Sequence, residues 1–549
     1  MNLNKKNILL ALSSLAVISC SDIDNQFPLG GTLTEEQLQE TNELLPERVN
    51  ATFSGMFTMM GEPDGVYHSG TRADDFGFIM AALSLDAEGA DLGMTNNDYN
   101  WFSTACELSS RNANYANPYI RYVLPYRQIG VANEIIKAYP EDTKDPKAIN
   151  QIAQARAMRA FDYLSLAPYF QFGYSTSKDK LCVPLLESDT DYTNNPRATV
   201  EKVYETIIAD LNYAIDNLEG YDRAGDKSRI DLNVAYGLRA RAYLNMGEYA
   251  KAAADAKKAQ EGYTPASKEE VSKPAFCDLN EHNWIWAIDI TDAMANIVYG
   301  YPTASSWLSP FSGQGYAAAT QTTPFINKLL YDKISDTDVR KGWWLDEDCK
   351  SDNMETLSWT DGDKTYRGND IAPLKIKDVK EPYLPYTNIK FGMKSGVGSI
   401  LNNNDWPLMR VEEMILIEVE GLAKSGKEGD ARTLLTDFLK TYRDPNYTIP
   451  AERSFEDEIW FQRRVELWGE GFFTNDAKRL GKPIVRFHDD KKNSNFPDAF
   501  IFNIKADDGW LNLRFPQTEL DNNLAVIDNE GGAQPVSGQN PELRDGVTD

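Results

Sequence analysis

The sequence predicts a mainly α fold in which paired helices stack into a superhelical scaffold carrying a large loop-rich lobe with a few short strands. Three observations carry this. Apolar residues recur at helical spacing in blocks, the blocks come in pairs across short polar turns, and long segments rich in Gly, Pro, Asn, Asp, Trp and Tyr separate the pairs. Stacked pairs bury a continuous core between neighbours, so most scaffold aromatics are expected to be packing residues.

The clearest pair begins at Asp231, a good N-cap residue, and runs through Ala235, Leu238, Ala242 and Tyr243 to a turn at Gly247. Tyr249, Ala252, Ala253, Ala256 and Ala259 line its second helix. The run AYLNMGEYAKAAADAKKA resembles the tetratricopeptide pattern, in which small alanines let two helices approach closely and a turn glycine permits the reversal. Just before it, Val200, Val203, Tyr204, Ile207, Ile208, Leu211, Ile215 and Leu218 mark an amphipathic helix.

Residues 118–139 and 147–172 form a further candidate hairpin, and 408–424 with 431–442 another, turning at Gly426 to Gly429. A last helix starts at Ser454, whose spacing to Asp457 is that of a capping box, and runs through Ile459, Phe461 and Val465 toward Trp468. The scaffold is therefore assigned to 118–175, 198–262 and 405–482, and the lobe to 50–117, 263–404 and 483–549. Within the lobe, Trp284 to Ile290 reads as a strand, with Trp284 and Trp286 half in the core. Loops this long are usually functional, which points to the lobe for binding.

The first residues give the destination. Lys5 and Lys6 precede an apolar run from Ile8 to Ile18, and Ser19 leads into Cys20, the layout of a bacterial secretory signal over residues 1–19. Val17-Ile18-Ser19-Cys20 resembles a loose lipobox, so Cys20 is expected to be lipidated and to anchor the chain; the alternative is an ordinary signal peptide followed by an incidental cysteine. Ser21, Asp22 and Asp24 resemble the acidic signal that sends lipoproteins of Bacteroides-type bacteria to the outer face of the outer membrane. Past Ile18 no apolar stretch approaches a membrane span. With 83 acidic against 56 basic side chains and a net charge of −27, the chain is not expected to bind nucleic acid or anionic lipid.

Catalytic and metal signals are weak. Cys106, Cys182, Cys277 and Cys349 include no CxxC pair, which argues against zinc and thioredoxin-like chemistry and leaves disulfide pairing open. His68, His282 and His488 are isolated, and no nucleophile motif is present. So many acids make a glycosidase-like carboxylate pair a matter of chance. Asp74, Asp75, Asp86, Glu88 and Asp91 lack EF-hand spacing and read as a solvated acidic face, with calcium as the alternative. No catalytic residue, metal ligand or cofactor is expected.

Taken together, the motifs resemble the SusD/RagB family of outer-membrane lipoproteins from Bacteroidetes over nearly the whole chain. Arg463-Arg464-Val465-Glu466-Leu467-Trp468-Gly469-Glu470-Gly471, followed by Asp476-Ala477-Lys478-Arg479-Leu480-Gly481, is similar to the family's late signature. Pro407 to Glu413 with Glu420-Gly421, and Arg514-Phe515-Pro516 with Glu519-Leu520 and Asn522-Asn523, resemble two more of its elements. Phe472-Phe473 depart from it, since the family has an arginine in that turn, and a structural ion pair is expected to be missing. The resemblance implies about four tetratricopeptide-like hairpins, capture of nutrients at the cell surface, and a SusC-like TonB-dependent transporter as partner. It implies oligosaccharide ligands, or peptides as in the RagB branch, and no enzymatic activity.

A sugar offers a face of C–H groups that packs on an aromatic ring, and hydroxyls that need fixed polar partners. Asn97, Tyr99 and Trp101 fit that demand in the region where the family places one arm of its aromatic platform. Tyr299, Tyr301, Trp307, Gln314 and Tyr316 lie where it places the rest, with Tyr316 as the second platform ring and Tyr299 or Tyr301 as the middle one. Trp343, Trp344 and Trp359 are weaker candidates, because Asp338-Val339-Arg340 resembles a structural element. Replacing Trp101 by Ala is expected to abolish binding with little effect on melting temperature. A structural lid without its own ligand and a helical glycosidase remain as rivals.

Overall fold

The helical blocks form where the apolar spacing placed them. The computed structural model describes residues 46–62, 66, 74–96, 101–187, 190–295, 307–313, 324–371 and 383–549, and the expected signal and Cys20 lie outside these. Helices α1 (Pro46–Thr58), α2 (Phe78–Glu88) and α3 (Trp101–Cys106) precede α4 (Ala116–Lys137) and α5 (Pro146–Phe170). After α6 (Val200–Asn217), α7 (Leu232–Met246) and α8 (Tyr249–Ala259) form the second hairpin, and α9 (Val411–Lys424) and α10 (Glu428–Tyr442) the third. The chain ends with α11 (Phe455–Glu466), α12 (Phe473–Leu480) and α13 (Gln517–Asn522). Each neighbour packs on the next from α4 through α10, and α11 packs on α9.

Local chemistry sets the ends. Asp231 accepts the Val234 N–H at 3.0 Å and starts α7. Gly247, at φ 77°, stops it with the Glu248 N–H donating to the Tyr243 carbonyl at 2.9 Å, a Schellman-type closure. The small-residue stripe then works as expected: a Cβ on Gly421 of α9 would stand 2.6 Å from the Tyr249 carbonyl oxygen and 2.9 Å from the Ala253 nitrogen of α8. Ser454 caps α11 by accepting the Asp457 N–H at 3.1 Å.

Several elements differ from the sequence reading, which places no helix in 50–117, whereas most of α1 and all of α2 and α3 fold there. Residues 78–88, assigned to loop, form α2, in which every residue after Phe78 is buried. A helix covered on all sides has no polar face, so its sequence carries no amphipathic period to read. Strand β4 (Trp284–Ile288) is buried on both faces rather than one, so Trp284 and Trp286 are wholly core; it pairs antiparallel with β8 (Trp406–Arg410). Elsewhere the strands among the described residues are short antiparallel pairs: β1 (Leu92–Gly93) with β5 (Phe325–Ile326), β2 (Leu181–Pro184) with β3 (Arg197–Thr199), and β6 (Ser358–Asp361) with β7 (Lys364–Arg367).

The motif residues form a buried ion network at the joint of scaffold and lobe. Glu466 accepts from Arg443 Nε and Nη2 at 2.9 Å each, from Arg410 Nη1 at 3.1 Å and from Arg340 Nη1 at 3.3 Å. Burial opposes its charge, but Arg443, Arg410 and Arg340 hold the carboxyl well below the usual range. Glu470 takes Arg410 and Lys390, and burial pushes the Lys390 ammonium down to about 8 despite that partner. Arg464 clamps Asp91 and Asp545, and Arg479 bridges Glu420 and Asp476. At the turn where an arginine was expected, Arg241 of α7 lies over the Phe472 ring at 5.2 Å and pairs with Glu413 at 2.7 Å.

The acidic cluster is neither a solvated face nor a gathered cation site. Asp74, Asp75, Asp86, Glu88 and Asp91 are all buried. Glu88 pairs with Arg111 and Arg121, Asp91 with Arg464, Asp86 accepts the Gly471 and Phe473 N–H groups, and Asp75 accepts the Val66 N–H. Among the described residues no group of three or more His, Cys, Asp or Glu could hold a metal, and no helix is long and apolar enough to cross a membrane. Cys106, Cys182, Cys277 and Cys349 are free thiols.

Candidate functional site

The expected aromatic platform divides into residues that can be placed and residues that cannot. Asn97, Tyr99, Tyr299, Tyr301, Gln314 and Tyr316 lie outside the described residues. Trp101 and Trp307 are described, and both correct the expectation: they are 5% and 1% exposed, within the main hydrophobic core, and offer no open ring face. The reason is tertiary packing. Trp101 opens α3, its N–H donates to Asp74 Oδ2 at 3.1 Å, and α3 is sandwiched against α2 and α4.

What the two tryptophans do is join the chain segments. The Trp307 ring meets the Phe102 ring edge-on at 4.5 Å, and Phe102 in turn touches Phe76 at 5.9 Å. Segment 307–313 is held from the other side as well. Ser312 Oγ donates to Asn402 Oδ1 at 2.7 Å, the Gly313 N–H to the Ser399 carbonyl at 2.7 Å, and the Gly398 N–H to the Phe311 carbonyl at 2.8 Å. Asn388 Nδ2 reaches the Leu308 carbonyl at 3.0 Å, and the Tyr383 hydroxyl bonds the Pro310 carbonyl. Phe311 and Tyr383 belong to a second, smaller core with Leu345, Met354, Ile371 and Ile389. The described residues bordering 97–100, 296–306 and 314–323 are thus fixed on a rigid base.

The β6–β7 hairpin supplies rings that the sequence reading ranked low or did not name. Trp359 and Tyr366 face each other across the pair, stacked at 5.7 Å with planes 24° apart, and both are partly exposed. The Trp359 indole packs against Gly398, where a Cβ would overlap it, so the hairpin leans on the turn that holds Phe311. Alternation around Gly362-Asp363 was the available signal, since Gly362 takes the positive φ of 58° that a two-residue turn needs. Trp343 and Trp344 are core residues.

A separate apolar cavity of about 90 Å³, lined by Phe78, Phe161, Tyr169, Trp406 and Phe472 among others, is far smaller than the roughly 300–1,000 Å³ of small-molecule sites. His282 lies 3.2 Å from Glu270 near the surface, and His488 lies against Thr548.

Residues 80–244 match a family model described as starch-binding, associating with outer membrane, and residues 305–530 match the model of the SusD family. No curated protein matches the chain. Among solved structures, it is similar to a SusD-like carbohydrate binding protein from Bacteroides vulgatus, with 23% identity and a TM-score of 0.68 over 88% of this chain and 97% of that one. A SusD superfamily protein from Bacteroides thetaiotaomicron gives 20% identity and 0.64 over 88% and 99%. A laminarin binding SusD-like protein gives 19% and 0.60 over 88% and 99%.

Proposed function

The chain belongs to the SusD family, and on that premise we propose that it is a non-catalytic glycan-binding lipoprotein of the outer membrane that passes oligosaccharides to a SusC-like TonB-dependent transporter. Cys20 carries the lipid anchor, and the protein faces outward from the cell.

One observation carries the placement of the site. Tyr99 stands two residues before Trp101 and Tyr301 six before Trp307, and the ring contact between Phe102 and Trp307 ties these two anchors together. The described residues at one end of each aromatic segment, Trp101-Phe102 and Trp307, therefore stand in one neighbourhood. Gln314 and Tyr316 follow Gly313 from the same base. We assign the platform to Tyr99, Tyr299, Tyr301 and Tyr316, with Asn97 and Gln314 as hydroxyl partners, and give Trp101 and Trp307 the work of fixing the base beneath. A ring platform set on a rigid base loses little freedom on binding, which favours weak but usable affinity per site.

A calorimetric screen of neutral hexasaccharides and of a mixed peptide library against the purified protein tests this. Saturable binding of a glycan, lost in Tyr301→Ala, is expected. Binding of peptides alone would transfer the chain to a RagB-type role. Binding of neither, with loss of transport when the gene is deleted, would leave only a structural lid, and release of reducing ends would make it an enzyme.

A further inference from the structure

Stacking of α4, α5 and α6 leaves an open groove of about 850 Å³ in the scaffold, which shares no lining residue with the site above. Its floor is α5, with Arg156 and Arg159; Asn133, Glu134 and Tyr139 border it on the α4 side, Tyr213 on the α6 side, and Tyr192 in the loop that follows β2. Its walls are fixed before any ligand arrives. The Leu186 N–H donates to the Tyr163 hydroxyl at 2.8 Å, Asn133 Nδ2 to the Leu186 carbonyl at 3.2 Å, and Arg159 Nη1 to Asn133 Oδ1 at 2.7 Å.

The floor carries unspent hydrogen-bonding capacity. Arg159 takes Asp210 in a bidentate grip at 2.8 and 2.7 Å, so Arg156 reaches that carboxylate only at 3.3 Å. Arg156 instead lies over the Tyr213 ring at 4.4 Å, and its side chain stays 30% exposed where it lines the groove. A guanidinium held flat by a ring, with donors left over, is a fixed partner for a ligand oxygen. Tyr192 is 62% exposed, a large ring with an open face at the rim.

The mixture of charge narrows the ligand. Arg156, Arg159 and Lys137 line the groove together with Glu134, Glu141 and Glu187, so a strongly charged ligand of either sign would meet groups of its own sign. A neutral sugar chain meets no such conflict, because its hydroxyls both donate and accept while its C–H faces pack on rings. The volume lies within the range of small-molecule sites. We propose that this groove is a second oligosaccharide site, built into the helical scaffold, for a neutral glycan a few units long. The proposal rests on the glycan reading above and adds to it: two sites on one tethered chain favour long polysaccharides over short fragments through effective concentration.

Hydrogen exchange of the purified protein, with and without millimolar maltohexaose, laminarihexaose, xylohexaose or mannohexaose, tests it. The expected result is that a hexasaccharide slows exchange in 133–141 and 190–192. Tyr192→Ala and the groove-filling Thr206→Arg should each demand about tenfold more sugar for that protection, while Tyr301→Ala leaves it intact. Protection confined to the lobe would overturn the groove and keep the family-based function. Protection of the groove by a peptide library and by none of the sugars would overturn it too. Absence of protection anywhere would overturn both readings.

Discussion

Replacing Glu466 by Gln removes one carboxylate from a buried cluster in which Arg340, Arg410, Arg443 and Lys390 are balanced by Asp338, Glu412, Glu466 and Glu470. The amide keeps the volume but leaves one cationic charge unmatched where water cannot reach it, since Glu466, Arg340, Arg410 and Arg443 are all within 1% of full burial. Breaking a buried pair in this way costs about 3–5 kcal/mol. At about 2.1 cal/mol/K per residue, 549 residues unfold with an entropy of roughly 1 kcal/mol/K, so the melting temperature should fall by about 3–5 °C. Scanning calorimetry at pH 7 measures it. Arg443 donates to Glu466 and Glu412, and Glu412 keeps Arg410 as a partner, so adding Arg443→Met to Glu466→Gln restores the charge balance. The double variant should therefore lose clearly less than the sum of the two single changes. A melting temperature unmoved by Glu466→Gln, or strict additivity in the cycle, would refute the reasoning.

Asp86 gives a pH signature. Burial pushes its carboxyl up to about 7 against the pull of the Gly471 and Phe473 N–H groups, so between about pH 4 and 7 the folded chain binds more protons than the unfolded one, and this group's stabilising contribution is lost as pH rises through that window. Asp86→Asn should flatten the fall in urea midpoint from about pH 5 to 7, and parallel profiles would count against it. Gly421→Val forces α8 and α9 apart at backbone atoms and is expected to cost about 1–3 kcal/mol, read as a lower midpoint with unchanged helical signal. Trp101→Ala, through the loss of a buried indole, should destabilise by about 3–5 kcal/mol; a variant as stable as the wild type would put Trp101 back on the binding surface. Tyr99→Ala should weaken glycan binding in calorimetry while leaving the melting temperature unchanged, and full affinity would remove that ring from the platform.

Helical periodicity is plainest in the sequence where a helix keeps one wet face, as α6 and α8 do. Val200 to Leu218 repeats at three and four because α6 keeps one exposed face, whereas α2 is buried on every side and left no such trace. Capping chemistry is equally local, which is why Asp231, Gly247 and Ser454 marked their helix ends correctly. Burial of a loop aromatic is not local. Trp101 and Tyr99 have the same kind of neighbours in sequence, and only tertiary packing, such as the approach of Phe102 to Trp307, shows that the two tryptophans are core.

By itself the sequence determined the family, the paired-helix scaffold and the residues of the signature motifs, because spacing, capping and small-residue stripes act over a few residues or a single turn. Tertiary structure alone decided what the charged motif residues are for. Arg464 meets Asp91 across 373 positions and Arg410 meets Glu470 across 60, and a buried charge finds its partner through the folded core rather than along the chain.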